Sequence, residues 1–183
     1  MAEETKPLRD LKRYITDHND QEQAIFNTSI PEEFVQTTIE NGDKFSLGYA
    51  TNQYPADLSS DLDTYRGYLE NNPGVVIPGG SVLRIVDLRP GGESPMHRTV
   101  SLDYGVVLEG EIDIVLDSGE SRVMKRGDHC VQRGTMHVWR NRSQTQWARM
   151  LFVLQEAKPI IINGKELGED YGVGMANVRP SGH

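Results

Sequence analysis

The sequence is short of cysteine, basic charge, aromatic side chains and long apolar runs, and most of these shortages exclude something. Its one cysteine, Cys130, cannot close an intramolecular disulfide. A stapled secreted scaffold is therefore excluded, and the reducing cytosol is the expected compartment. No apolar run approaches the roughly 20 residues that span a bilayer as a helix, so no membrane is expected. The opening segment MAEETKPLRDLKRY lacks the apolar stretch of a secretory signal. Lys and Arg number 19 against 27 Asp and Glu, a formal charge of −8. An acidic surface repels phosphate backbones, so nucleic acid is not an expected partner.

What is present is 183 residues, 37% hydrophobic and 25% charged, with 18 glycines and 9 prolines. That mix suits one turn-rich domain with an apolar core. Residues 1–44 are polar, and Pro31-Glu32-Glu33 predicts the start of a short helix. Phe45 to Thr51 alternates as a strand, and Asp61 to Glu70 reads as a short helix stopped by Asn71-Asn72-Pro73-Gly74. From Ser81 the pattern becomes strands only. Ser81 to Leu88, Tyr104 to Leu108, Ile112 to Leu116, His137 to Arg140, Met150 to Leu154 and Ile160 to Ile162 are short β-branched or alternating runs. Glu109-Gly110-Glu111 reads as a hairpin turn, with further turns at Asp117 to Glu120 and Asn163-Gly164. Regular short strands without helices between them predict an all-β sandwich or barrel. The expected division is an arm over 1–79 with short helical segments, a β-domain over 80–165 and a tail over 166–183.

Five histidines are present. His18 in the polar arm and the terminal His183 are expected in solvent, and His129 and Cys130 are adjacent on one strand and so face opposite ways. His97 follows the turn PGGESPM, and Thr99 and Asp103 share its parity; His137, Trp139 and Asn141 share a face on a later strand. In a barrel these faces meet in one cavity. His97, His137 and Asp103 then offer two imidazoles and a carboxylate, the donor set that suits iron(II) and also accepts zinc, manganese or nickel. Hydrogen-bonded structural histidines are the plainer reading of the spacing alone. Trp139 would supply an aromatic wall to the cavity or fill the core of the barrel. Arg84 shares its parity with Val82, Val86 and Leu88; facing inward it would take a carboxylate through two hydrogen bonds, and facing outward it is a surface arginine. Arg98 and Arg140 have the opposite parity to the histidines and are expected to form outward salt bridges.

The segments PGGESPMHRTVSLDYGVVLEGE (90–111) and GDHCVQRGTMHVWRN (127–141) resemble the two motifs of the cupin superfamily. Gly91, His97, Asp103 and Gly110 fall on the spacing of the first, with Thr99 where a second histidine is expected and Asp103 in the place of a glutamate. Gly134, His137 and Asn141 match the end of the second, with Gln132 at its proline position and Gly127 one residue closer than the pattern. The resemblance implies a cupin jelly-roll, a double-stranded β-barrel. Cupins hold a metal through three histidines and a glutamate, so the departures leave a metal-bound and a metal-free pocket as open alternatives; in either, His97, Asp103 and His137 are the candidate catalytic residues, with Trp139, Arg84 and Thr99 lining the substrate. His137 is cast as base, Asp103 as its orienting partner or a metal ligand, and His97 as acid or second ligand. The motif pair is similar to that of small single-domain cupins of secondary metabolism in fungi and bacteria. That likeness implies a lyase or isomerase acting on an organic acid or polyketide-like substrate by dehydration, decarboxylation or isomerisation. The alternatives are an iron dioxygenase and a non-catalytic small-ligand binder. A homodimer is expected, because a small jelly roll leaves strand edges to cover.

Overall fold

The computed structural model describes residues 8–172. In chain order its elements are β1 (Ile15–His18), β2 (Ala24–Asn27), β3 (Thr37–Thr38), β4 (Lys44–Thr51), α1 (Asp61–Glu70), β5 (Ser81–Leu88), β6 (Ser101–Glu109), β7 (Ile112–Leu116), β8 (Ser121–Met124), β9 (His129–Arg133), β10 (His137–Asn141), β11 (Ala148–Glu156), β12 (Ile160–Ile162) and β13 (Lys165–Leu167). Two sheets make the body. The larger runs β3-β4-β5-β11-β6-β9 and the smaller β10-β7-β8, all pairs antiparallel. Among the described residues no helix is long and apolar enough to cross a membrane.

Alternation explains the layering. Val107 and Met150 of the larger sheet and Ile112, Ile114 and Trp139 of the smaller belong to one buried apolar cluster between the sheets. The opposite face of the larger sheet, with Ser46, Ile85 and Arg149, is covered by Leu11, Phe34 and Gln36 of the arm. α1 forms where acidic residues occupy its first turn, and it buries Tyr65. The Tyr65 hydroxyl reaches the Leu47 and Gly48 carbonyls at 2.9 and 2.8 Å, which fastens the helix to β4.

Three expectations need correction. The sheets face one another but do not close into one hydrogen-bonded barrel, since β8 and β10 end one sheet and β3 and β9 the other. Glu109-Gly110-Glu111 does not turn a hairpin: β6 pairs with β11 and β9, and β7 with β10 and β8, so this turn is a corner where the chain changes sheets. Gly110 is required there, with φ at 81° and an added Cβ meeting the Ala148 Cβ at 2.8 Å. From residue 8 on, the arm is strands and loops before α1, the one helix among the described residues. Past Pro31 the backbone turns to the first segment instead of coiling, with Arg13 N–H on the Glu32 carbonyl at 2.7 Å and Glu33 bridged to Lys12.

Candidate active site

The two motif segments meet directly. Residues 92–97 run along β10: the Asn141 N–H reaches the Gly92 carbonyl at 2.8 Å, the Ser94 N–H reaches the Trp139 carbonyl at 2.9 Å, and His97 and His137 exchange backbone hydrogen bonds of 3.0 and 2.9 Å. His97 therefore sits in an isolated bridge before β6, not in a strand of its own. Paired this way, the two imidazoles lie side by side with ring centroids 4.2 Å apart. Trp139 stands edge-on to His137 at 5.3 Å, and Phe152 edge-on to Trp139 at 5.4 Å.

Both histidines line one hollow with Thr99, Asp103, Arg84 and Trp139, the six residues singled out from the sequence. Its volume is about 80 Å³. Phe45, Val75, Val86, Leu88, Phe152 and Leu154 make the rest largely apolar. Gly105 keeps it open from behind, because a Cβ there would lie 2.8 Å from the Phe152 ring and press it inward.

Each imidazole is anchored at Nδ1 by a backbone carbonyl two residues earlier, His97 by Pro95 at 2.8 Å and His137 by Thr135 at 2.9 Å. At His97 a proton on Nδ1 leaves the lone pair on Nε2; at His137 the same nitrogen also meets the Gln132 amide. Burial lowers the pKa of both rings; for His137, 2% exposed, burial and the neighbouring His97 lower it to about 3. Both are neutral at physiological pH. Asp103, 4% exposed, is pushed up to about 7 by burial, against the pull of the Ser101 and Thr99 hydroxyls. Its Oδ2 faces the Thr99 hydroxyl at 3.5 Å, and Oδ1 has no partner.

Two roles change. Asp103 does not orient His137. Gln132 does: its amide nitrogen contacts His137 Nδ1 and donates to the Thr135 carbonyl at 2.9 Å, while the Thr135 hydroxyl donates to its Oε1 at 3.0 Å. In the sequence Gln132 showed only as a departure from a motif proline; its cross-strand pairing with Asp103 is what turns it inward. The donor set also differs from the expected triad. Among the described residues no three of His, Cys, Asp and Glu are grouped to hold a metal. The shorter aspartate keeps its carboxylate with the Thr99–Ser101 hydroxyls, so the residues present do not fit a three-ligand centre.

The remaining candidates fall outside the hollow. Asn141 is buried as a clasp, its amide donating to the Leu88, Arg89 and Gln146 carbonyls. Arg140 forms the expected outer ion pair with Glu93, whereas the Arg98 Nε donates to the Gly168 carbonyl at 2.7 Å. His18 and His129 are exposed, Cys130 is half-buried, and His183 lies outside the described residues.

Residues 84–154 match the Cupin domain family. The chain is 41% identical over 166 residues to a cupin-domain-containing oxidoreductase of Hypocrea virens, covering 85% of this chain and 81% of that protein. The chain belongs to the cupin family. This cupin is also 58% identical over 182 residues to Phomopsin biosynthesis cluster protein D of Diaporthe leptostromiformis, covering 98% of this chain and 96% of that one. It is 48% identical over 171 residues to Oryzines biosynthesis cluster protein J of Aspergillus oryzae, covering 91% and 94%. Its relatives thus include proteins of fungal biosynthesis clusters and proteins named as oxidoreductases.

Proposed function

We propose that this cupin is a proton-transfer enzyme of secondary metabolism, a lyase or isomerase acting on a small organic acid or polyketide-like substrate. The observation that carries the reading is the neutral imidazole pair, 4.2 Å apart and anchored at Nδ1, facing an apolar hollow. A neutral imidazole is the form that accepts a proton. One ring takes a proton from the carbon beside a carbonyl, and the enolate formed is stabilised by nearby donors in a medium of low dielectric. Returning that proton to another carbon completes an isomerisation; delivering it to a departing hydroxyl releases water and completes a dehydration. Asp103, with its pKa pushed up to about 7 by burial, supplies a hydrogen bond to the developing oxygen charge in its protonated form. Membership of biosynthesis clusters among the relatives supports the metabolic setting.

The test is deuterium wash-in. Wild-type protein is incubated in deuterated water with β-hydroxy and α,β-unsaturated acids, and label at carbon is followed by mass spectrometry. Wild type is expected to label at least one of them, and His137→Gln to lose about 100-fold or more of the rate while staying folded. Equal labelling by His137→Gln would contradict the reading. A second reading, a redox reaction in the same hollow, is favoured by the relatives named as oxidoreductases. An iron centre there needs Asp103 to swing to the imidazoles. About one equivalent of iron in purified protein supports it, and less than about a tenth rejects it.

A further inference from the structure

We propose that the substrate carries a carboxylate that docks on Arg84, with its reacting carbon turned to the imidazole pair. The inference rests on the proton-transfer reading for what the imidazoles do, and adds what holds the substrate.

Arg84 points from β5 into the hollow and is 7% exposed. A guanidinium has five N–H donors and stays charged in a protein. Here Nη2 meets the Gly74 carbonyl at 3.2 Å, the cation lies over the Phe45 ring at 5.5 Å, and Nε is buried without a partner. Burial lowers its pKa to about 10, which leaves it charged at neutral pH. Among the described residues no carboxylate pairs with it. The two acidic groups of the same hollow are used elsewhere: Asp43 accepts from the Arg89 N–H and the Asn41 amide, and Asp103 sits with the Thr99 and Ser101 hydroxyls. The Tyr171 phenol is the titratable group that acts on it.

A buried cation with an unspent buried donor is stabilised by an anion, and a carboxylate matches the guanidinium fork in shape. The surroundings select an organic anion over an inorganic one. Val75, Val86, Phe152 and Leu154 flank the arginine with apolar surface that phosphate or chloride would not use. His97 and His137 line the same hollow, so one compact acid reaches both.

The test is calorimetry at pH 7.5 with hexanoate and hexanamide, probes of one shape that differ in charge. Wild type is expected to bind hexanoate at least about tenfold more tightly than hexanamide. Arg84→Met is expected to lose that preference while remaining folded, and Arg84→Lys to keep part of it. Equal binding of the two probes by wild type, an undiminished preference in Arg84→Met, or inorganic phosphate binding as tightly as hexanoate would overturn the proposal. Deuterium wash-in separates the two claims. Labelling without a carboxylate preference removes the docking and keeps the chemistry; a preference without labelling does the reverse.

Discussion

Arg84 and Arg149 lie on neighbouring strands of one sheet, both almost wholly buried, and they are treated in opposite ways. Arg149 faces the arm. Its Nε and Nη2 bind the two Asp87 oxygens at 2.5 and 2.6 Å, and Nη1 donates to the Arg9 carbonyl at 2.8 Å. Asp87 takes a further bond from the Gln36 amide at 3.0 Å. Arg84 faces the hollow with one carbonyl and one aromatic ring. The first is a closed network that fastens the arm to the sheet. The second is a charge left for something that enters. Burial alone does not separate structure from site; the tally of unspent donors does.

The largest expected effect breaks the closed side. Asp87→Ala leaves Arg149 buried and unpaired, and urea denaturation should show a loss of about 3–5 kcal/mol. A loss below about 1 kcal/mol would mean that the pair is wet. The next effect sharpens the open side. Asp103 has its folded pKa near 7, above the ordinary 3.8, so between those values the folded chain keeps a proton that the unfolded chain has released. Stability therefore falls as pH rises through that window. Asp103→Asn, which cannot titrate, should gain on wild type by on the order of 3–4 kcal/mol between about pH 4 and pH 7. Parallel stability curves would remove the raised pKa. Arg84→Met is expected to stabilise the chain by about 1–3 kcal/mol in the absence of ligand, because it removes a buried cation whose Nε has no partner. Destabilisation there would show that the arginine is satisfied. Smallest is Glu93→Gln: its pair with Arg140 is nearly half exposed on both sides, and its loss should change stability by less than about 1 kcal/mol.

The same contrast explains what was legible in the sequence. Alternation over Ser81–Leu88 placed Arg84 among apolar neighbours, because a two-residue period fixes the face of each side chain; for His97, Thr99, Asp103 and His137 the spacing alone favoured structural histidines, and the motif resemblance pointed to the one hollow they line. The bounds of α1, Asp61–Glu70, followed from the run itself and its Asn-Asn-Pro-Gly stop. Glu109-Gly110-Glu111 was misread because a left-handed glycine serves a hairpin and a sheet corner equally well, and only distant pairing tells them apart. Pro31 was misread because pairing with the first segment outweighed a local helix signal. Gln132 was missed as the partner of His137 because its role depends on three residues meeting across a turn. The reach of Asp103 is likewise a tertiary quantity: parity gave its face, but not the hydroxyls that hold it.

The most direct measurement is nitrogen-15 NMR of the histidine side chains between pH 5 and pH 8. Two buried rings that are neutral at pH 7 and above, with His97 protonated at Nδ1 and bare at Nε2, are what a proton-accepting pair requires. An imidazolium on His97 or His137 at pH 7, or a proton on His97 Nε2, would contradict it.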